Sequence, residues 1–576
     1  MTKTKKYILI FAIVVLAFFL RFYNIEQTPP GVYPDEAVNG IDAMTAITTG
    51  DFRWFYPANQ GREGFFMNWI ALFFMLFGVS ITTLKLPAII CGTITVIGTY
   101  LLTRELFNKE RLALISSFLV AVSFWAINFS RISFRANMLP AILVFSFYFL
   151  WKGINKKEQH PSLSEYPISI PGRSLLKGTP TSTAESSSRD SAGKKQSRSP
   201  LFSLSFKKRD SDQEYMSYLY FAIGGFIFGI GMHSYIAWRI APAILIVTLI
   251  SFILSRPEFL KTYWRAILIF LVSSLIAAAP MFYTFYTHPQ YLESRSDNVS
   301  VLSPKVNQGR PVETFTKSLG LSLVKYNFWG DQNWRHNYPP YPILDPISGI
   351  AFLFGIFYSL LKLLRFLYLR FQKKIQAPKM DVHVFLLSWF FLMLAPEFMT
   401  AEGLPHALRA IGTLPVTFIF AGLTFEFFLS RGEQHTYLYK EIVNILLIFI
   451  LVSVGIFNTV KYHIFWAKKI ETARSFESVL IDVSDYIKTV PEQKEIYVIT
   501  GSMQRIPIRL FNWERKNVFY LYPGEFEQVK PRNADNFIVI LTKKNDEIIS
   551  KLQSIYSNLQ LEEKRDELGI SYYILK

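Results

Sequence analysis

The sequence is short of charged residues and nearly lacks cysteine. Charged side chains make up 18% of the 576 residues, whereas globular domains carry about 25%. A single cysteine, Cys91, rules out an intramolecular disulfide and a metal site built from several thiolates. Hydrophobic residues reach 51%, and apolar runs long enough to cross a bilayer recur between Tyr7 and Phe457. The composition therefore excludes a water-soluble protein and predicts a multi-spanning membrane protein.

Loop charge decides how many of these runs cross the membrane. The run 65–77 is too short for a comfortable crossing and can be either a twelfth span or a helix along the outer interface. If it does not cross, the most basic loops of the chain face the cytoplasm, as the positive-inside rule requires. We therefore expect a plasma-membrane protein with about eleven spans, a cytoplasmic N-terminus and an extracytoplasmic C-terminus. The predicted spans are 7–22, 87–103, 111–129, 137–152, 217–234, 239–255, 264–283, 346–366, 382–398, 407–429 and 441–458.

The net charge of +18 has the same explanation. Basic residues collect in the loops that this topology places in the cytoplasm, so no nucleic-acid partner is needed to account for them.

The chain is expected to form two domains, a membrane domain at 1–458 and a soluble domain at 459–576. Within the membrane domain, outer loops cover 23–86 and 284–345. The segment 153–216 is rich in serine and basic residues and lacks apolar periodicity, which predicts a disordered cytoplasmic loop.

The soluble domain is predicted to be a small extracytoplasmic α/β unit, because amphipathic helical periods alternate with short apolar strands. It contains no glycine-rich phosphate loop and no metal-spaced cluster, so it is interpreted as a lid or an acceptor-recognition module. The predicted elements are helices at 476–488 and 546–558 and strands at 495–500, 518–521 and 537–541.

Asp35 and Glu36 follow the first span in a Pro-rich loop, where a helix is expected to begin. Two interpretations remain open at this stage. Asp35 can be an N-cap with Glu36 complementing the helix dipole. Alternatively, the pair can be functional, because acids beside the bilayer tend to be paired, metal-bound or catalytic.

An ordered set of motifs resembles a known family of membrane enzymes. Pro34-Asp35-Glu36-Ala37 follows the first span, and Gly61-Arg62-Glu63-Gly64-Phe65 precedes the short apolar run. Phe129-Ser130-Arg131, the segment 330–337 and the segment 405–410 follow in order. Together they are similar to the polyprenyl-phosphate-dependent glycosyltransferases of the GT-C fold, in the family 39 branch of protein O-mannosyltransferases and the lipid A aminoarabinose transferase.

The resemblance implies an α-helical polytopic fold and an inverting transfer of a hexose or pentose. The donor would be a monosaccharide on a polyprenyl phosphate, and the acceptor an extracytoplasmic protein, lipid or glycan. Asp35 matches the family's catalytic acidic position and is expected to take the proton of the acceptor hydroxyl, with Glu36 in support.

Cations must stabilise the departing phosphate, and arginine suits this task because its guanidinium matches phosphate oxygens bidentately. Each arginine also has a structural interpretation, such as snorkelling at the interface or forming an ion pair. The candidates for phosphate contact are Arg239, Arg409, His406, Arg131 and Arg135. The candidates for binding sugar or acceptor are Glu63, Tyr235, Asp331, Trp334, Arg335 and His336.

The chain departs from the family pattern in its second outer loop, where many relatives carry another acid. The stretch 131–140 offers Asn137 and no carboxylate. Either Glu63 fills that role or arginines replace a metal. A divalent cation (Mg, Mn, Ca or Zn) held by Asp35, Glu36 and Glu63 is therefore an open possibility.

Two other classes of function remain as alternatives. A transporter or flippase of lipid-linked sugars would account for the many spans and the outer arginines, although such proteins usually contain internal repeats and this sequence shows no clear one. A non-catalytic membrane assembly subunit would use the acids as helix caps and the soluble domain to recruit partners.

Overall fold

A computed structural model describes residues 2–58, 61–158, 200–291, 300–372, 381–432 and 436–576. Most of the predicted disordered loop, at 159–199, lies outside these residues, as does 292–299 of the predicted outer loop at 284–345. The helices of the membrane part are α1 (Lys3–Phe22), α2 (Pro34–Thr49), α3 (Phe65–Phe77), α4 (Ile81–Phe107), α5 (Glu110–Val122), α6 (Phe124–Ser130), α7 (Met138–Glu158), α8 (Pro200–Ile230), α9 (Ala241–Ser255), α10 (Phe259–Thr287), α11 (Pro304–Asn307), α12 (Pro311–Val324), α13 (Pro346–Phe371), α14 (Asp381–Phe398), α15 (Leu414–Gly432) and α16 (Tyr437–Val460).

The number of candidate spans is close to the eleven predicted from hydropathy. Among the described residues, nine helices are long and apolar enough to cross a membrane, and the bent pair α5 and α6 makes a tenth. Helix α1 coincides with the first predicted span and carries lysines in its first turns. Helix α3 is a separate apolar helix of 13 residues, shorter than the roughly 20 residues that a helical span needs. A polytopic helical fold of about eleven spans is thereby confirmed.

One predicted span is broken. The segment 111–129 was expected to be continuous, but α5 ends at Val122 and α6 begins at Phe124 with a bend of 58°. Carbonyl groups at such a break lose their helical partners and must find others within the protein. Arg21 of α1 donates to the carbonyl oxygens of Val120 and Ala121 at 3.2 and 2.9 Å. The break is therefore stabilised by a buried guanidinium that belongs to another helix.

The other side of the break is held by the last span. Asn458 of α16 accepts the backbone N–H of Phe124 at 3.3 Å through Oδ1, and its Nδ2 donates to Asp345. Helix α6 is thus capped by a side chain from the far end of the membrane domain. Its polar residue Asn128 then projects toward the loops described below.

The C-terminal residues form a sheet between two layers of helices. The strands are β3 (Glu495–Ile499), β4 (Val518–Leu521), β5 (Phe537–Leu541), β6 (Leu561–Arg565) and β7 (Ser571–Leu575), and the helices are α17 (Ile470–Phe476), α18 (Val479–Thr489), α19 (Arg505–Phe511) and α20 (Asp546–Ile555). The strand order is β4-β3-β5-β7-β6, with β3 parallel to β4 and β5, and with β7 antiparallel to β5 and β6. Side chains alternate across β3, so Ile496 and Val498 pack toward α18 and α19 while Tyr497 and Ile499 pack toward α20. The predicted small α/β domain is confirmed.

Four elements of this domain were not predicted: α17, α19, β6 and β7. Strand β6 has the sequence Leu-Glu-Glu-Lys-Arg and lies at the edge of the sheet. Charged residues on an edge strand discourage pairing with other chains, but they also remove the apolar signal that marks a strand.

The α/β domain packs on the first loop of the membrane part. A methyl group added at Gly31 would lie 2.7 Å from the Cα atom of Ser478 and 2.8 Å from the carbonyl oxygen of Phe476. One at Gly40 would lie 2.5 Å from a methyl carbon of Leu510. Helix α2 and the loop before it are therefore covered by the α/β domain.

Candidate active site

The loop after α1 places the acidic pair at the start of α2. Tyr33 is the N-cap residue and Pro34 occupies the first turn, so the interpretation of Asp35 as N-cap is wrong. Glu36 caps the helix instead, because its Oε1 accepts the backbone N–H of Tyr33 at 3.2 Å. Asp35 is partly exposed and acts electrostatically on both Tyr33 and Arg62.

Glu36 is fully buried and ties two loops together. Its Oε2 accepts the backbone N–H of Ser133 at 2.7 Å. Burial raises the pKa of Glu36, and the buried ammonium group of Lys85 opposes that rise. Both carboxylate oxygens of Glu36 are engaged by backbone amides, so this residue positions α2 against the loop that follows α6.

One face of α2 carries further polar residues that were not singled out in the sequence. Asn39 donates to the carbonyl oxygen of Ser133 at 2.8 Å, and Arg62 donates to Oδ1 of Asn39 at 2.8 Å and pairs with Asp42. Burial lowers the pKa of Arg62, and the carboxylate of Asp42 counters this effect. Asp35, Asn39 and Asp42 stand at i, i+4 and i+7, and this helical spacing is the signal that could have identified them.

Arg135 and Glu63 form an ion pair beside this face. Nε of Arg135 lies 2.7 Å from Oε2 of the buried Glu63, and its guanidinium lies 5.9 Å from the centre of the Tyr235 ring. The short hairpin of β1 (Phe55–Tyr56) and β2 (Arg62–Glu63) presents the acid. The structure therefore brings together Arg135, Glu63 and Tyr235, three of the residues predicted to contact the donor or the acceptor.

The side chains of Glu36 and Glu63 are engaged elsewhere, which does not favour the cation site with Asp35 that the sequence left open. Glu36 turns into the protein toward two backbone amides, and Glu63 is held by Arg135. Among the described residues, the one group with metal-binding geometry consists of Asp331, His336 and His406.

Arg335 is distant in sequence from the acidic pair, but it contacts the loop that carries the pair. Its Cζ atom lies 3.8 Å from the centre of the Tyr33 ring, and its carbonyl oxygen accepts Nδ2 of Asn128 at 2.8 Å. Burial raises the pKa of Tyr33, Arg335 lowers it, and the carboxylates of Asp35 and Glu477 raise it. Glu477 comes from the α/β domain, so that domain contributes a charge to the site, which the sequence did not reveal.

Asp331 and His336 form a hydrogen-bonded pair at 3.0 Å between Oδ2 and Nδ1. The His336 ring lies 4.7 Å from the His406 ring, centre to centre. Burial lowers the pKa of His406 well below its usual value, and His336, Arg409 and Arg335 lower it further.

A buried ion pair supports this group. Lys325 and Glu397 are fully buried with Nζ and Oε2 2.5 Å apart, and Oε1 of Glu397 accepts the backbone N–H of His406 at 2.8 Å. Neither residue was singled out in the sequence, because they belong to segments separated by 72 residues.

The remaining predicted cations have separate environments. Arg131 is fully buried and donates to the carbonyl oxygens of Leu20, Asn24 and Thr28 at 3.0, 3.1 and 2.6 Å. It therefore holds the end of α1 and is withdrawn from the phosphate candidates.

Two further predicted cations and Trp334 make different contacts. Arg239 is exposed beside the Phe285 ring, and Arg409 pairs with Glu402. The Trp334 ring packs against Tyr338.

Comparison with known proteins agrees with this architecture. A profile of the family described as "Dolichyl-phosphate-mannose-protein mannosyltransferase" matches residues 63–164, less than a fifth of the chain. A comparison with curated protein sequences gives no match. The crystal structure of ArnT from Cupriavidus metallidurans bound to undecaprenyl phosphate is 11% identical with a TM-score of 0.49, covering 100% of this chain and 98% of that one. The crystal structure of the same protein in the apo state is also 11% identical, with a TM-score of 0.51 over 99% of this chain and 98% of that one.

ArnT is a membrane glycosyltransferase of the GT-C type, and the similarity to its apo structure extends over nearly the whole chain. The protein has a GT-C fold. The similarity in sequence to the mannosyltransferase family begins at Glu63 and includes the loop of Arg131 and Arg135. In this GT-C fold, the loop of Asp35, the loop of Ser133 and Arg135, and the loop of Arg335 and His336 meet at one site.

Proposed function

We propose that the protein is an inverting glycosyltransferase that moves a monosaccharide from a polyprenyl phosphate to the hydroxyl group of an extracytoplasmic acceptor. The observation that carries this proposal is the environment of Asp35. It is a partly exposed carboxylate on a polar helix face, near both Arg62 and the stacked pair of Tyr33 and Arg335. The similarity to the dolichyl-phosphate-mannose-protein mannosyltransferase family supports a lipid-phosphate sugar as donor.

Asp35 is the general base of the proposed reaction. It accepts the proton of the acceptor hydroxyl while the hydroxyl oxygen forms a bond to the anomeric carbon. The bond between that carbon and the phosphate oxygen breaks, and the electron pair leaves with the polyprenyl phosphate. Attack opposite the leaving group inverts the anomeric centre. Glu36 acts by holding Asp35 in place.

The departing phosphate is stabilised by cations from the loops opposite α2. Arg335 and Arg409 both act electrostatically on His406, which places these three residues near one another, and fixed cations of this kind stabilise charge that develops in a transition state. Arg135 lies beside the Tyr235 ring, and Arg239 belongs to the short helix that Tyr235 caps. Tyr235, Trp334 and the pair of Glu63 and Arg135 are proposed to contact sugar or acceptor.

The proposed orientation follows from loop charge. The N-terminus lies in the cytoplasm of a plasma-membrane protein, and the site and the α/β domain face outward. The isoprenoid tail then stays in the bilayer while the sugar reaches the polar loops. The acceptor is a protein, lipid or glycan on that side.

The test uses the full-length protein in liposomes with radiolabelled polyprenyl-phosphate hexoses and pentoses as donors. Membrane and envelope extracts supply the acceptor. Transfer of label to an acceptor by the wild type, but not by Asp35→Asn, supports the proposal. Movement of the labelled lipid across the bilayer without transfer identifies a flippase and overturns it. If no donor gives either transfer or movement, the proposal is also overturned, and an assembly subunit is favoured.

A further inference from the structure

Asp331, His336 and His406 converge although they come from two loops. One ligand atom from each lies within 4.8 Å of the ligand atoms of the other two. Oδ2 of Asp331 is 3.0 Å from Nδ1 of His336, which fits either a hydrogen bond or two ligands of one metal ion. The geometry alone is therefore compatible with both a histidine–carboxylate pair and a metal site.

The backbone orients this group before any ligand binds. Oδ1 of Asp331 accepts the N–H of Asn333 at 2.8 Å, and Oδ2 accepts the N–H of Ala407 at 2.7 Å. Glu397 accepts the N–H of His406 at 2.8 Å. Hydrogen bonds of this kind fix ligand orientation around metal ions and raise affinity.

The charges around the group also permit a cation. Three cationic side chains face it, but two have acidic partners of their own: Lys325 is paired with Glu397 at 2.5 Å and Arg409 with Glu402 at 3.6 Å. The third, Arg335, stacks on Tyr33 and donates to Asn333. Lys325 also acts on Asp331, but no lysine or arginine in the described residues forms an ion pair with that carboxylate.

We propose that Asp331, His336 and His406 bind a divalent cation of the Zn²⁺ class. Two imidazoles and one carboxylate are a ligand set that holds zinc while leaving a coordination position open. Because Arg335 and Arg409 border the group, the open position accepts an oxygen of the donor phosphate. This last step rests on the proposed function, whereas the metal site does not.

The first experiment measures metal binding without any substrate. The full-length protein, purified in detergent and stripped with a chelator, is titrated with Zn²⁺ and with Co²⁺. We expect about one equivalent to bind, a Co²⁺ absorption spectrum with nitrogen and oxygen ligation, and a rise in thermal stability with added Zn²⁺. Absence of a bound equivalent in the wild type overturns the site and leaves a hydrogen-bonded pair.

Variants then assign the ligands. His336→Ala, His406→Ala and the more conservative His406→Gln are expected to weaken Zn²⁺ binding by more than about tenfold. The control is His288→Ala, which removes an exposed imidazole that stacks on Tyr291 away from this group. Equal loss in the control, or unchanged binding in all three variants, overturns the assignment.

Sugar transfer gives an independent readout. If the wild type binds metal but transfers sugar equally well after metal removal, the contact with the phosphate is overturned and the metal site stands. If metal binds and no donor is used, the proposed function fails while the metal site stands.

Discussion

The backbone N–H of Ser133 donates to Oε2 of Glu36 across 2.7 Å and joins two loops that are 97 residues apart in sequence. Asn39 strengthens the same junction by donating to the carbonyl oxygen of Ser133. The first turn of α2, which presents Asp35, is thereby fixed against the loop of Arg135. The position of the proposed base depends on a neighbouring acid that does not itself reach substrate.

Replacement of Glu36 by glutamine tests this junction. The amide NH₂ of glutamine cannot accept an N–H, so one of the two backbone donors loses its partner, at a cost of about 1–3 kcal/mol. Lys85 would also keep a buried charge without its counter-charge, which adds to the loss. We expect a lower thermal unfolding temperature, measured in detergent. Glu26→Gln, at an exposed glutamate, is the control, and equal stability of both variants would contradict the junction's importance.

Replacement of Asp35 by asparagine tests the base. Asparagine keeps the size of the side chain but cannot accept a proton at neutral pH, and general-base catalysis contributes about 10²–10⁴-fold to rate. We expect a loss of that size in sugar transfer with unchanged thermal stability. Asp51→Asn alters an exposed aspartate that pairs with Arg53 and should keep full activity. Wild-type turnover by Asp35→Asn would refute its role.

Two glycines with a positive φ test the contact between the α/β domain and the first loop. Gly31 and Gly50 both have positive φ, at 89° and 74°, but a methyl group at Gly31 meets the backbone of Ser478 whereas one at Gly50 meets open space. Alanine is disfavoured at positive φ by about 1–2 kcal/mol, so each variant carries this cost. Only Gly31→Ala should also separate the two surfaces, which we expect as faster limited proteolysis of the α/β domain. Identical digestion of the two variants would argue against tight docking.

Asp482 predicts a pH dependence of the α/β domain. Burial, with Asp566, Asp485 and Glu567 nearby, raises the pKa of Asp482 to about 6. The folded state therefore holds this proton more tightly than the unfolded state, whose pKa is about 3.9. Its contribution to stability is present below pH 4 and is lost as pH rises through about 6.

Asp482→Asn should consequently match the wild type near pH 4 and be more stable at pH 7–8, by about 1 kcal/mol, because solvent screens this half-buried carboxyl group. Thermal unfolding across this pH range measures the difference. Asp535→Asn, at an exposed aspartate, should show no such trend. A stability gain for Asp482→Asn that is independent of pH would contradict the titration.

The spans were predictable because hydropathy is a local property of sequence. The break at Ser123 was not, since its hydrogen-bond partners Arg21 and Asn458 lie about 100 and 334 residues away. In the α/β domain, the apolar strands β3 and β5 were predicted, whereas the charged edge strand β6 was not. Long-range polar contacts and charged edges thus account for much of what the sequence left undetermined.

In the candidate site, the sequence placed Asp35 and Glu36 together, with Glu36 in support of Asp35, but it did not show that the two side chains enter different environments. Neighbouring residues on a helix point about 100° apart, and in α2 one carboxylate is partly exposed while the other is buried. The sequence also singled out Arg131 without indicating that its donors are used by carbonyl groups of the loop after α1. Residue type and order identified the loops, but the direction of each side chain depends on tertiary packing.

The capping of α6 by Asn458 has a consequence for biosynthesis. The first amide of α6 finds its partner 334 residues later in the chain, on the final membrane helix. While the nascent polypeptide lacks that helix, α6, which carries Asn128 toward Arg335, lacks this cap on its first amide. We therefore expect the loops around Asp35 to settle into their final arrangement after the last transmembrane segment has been made.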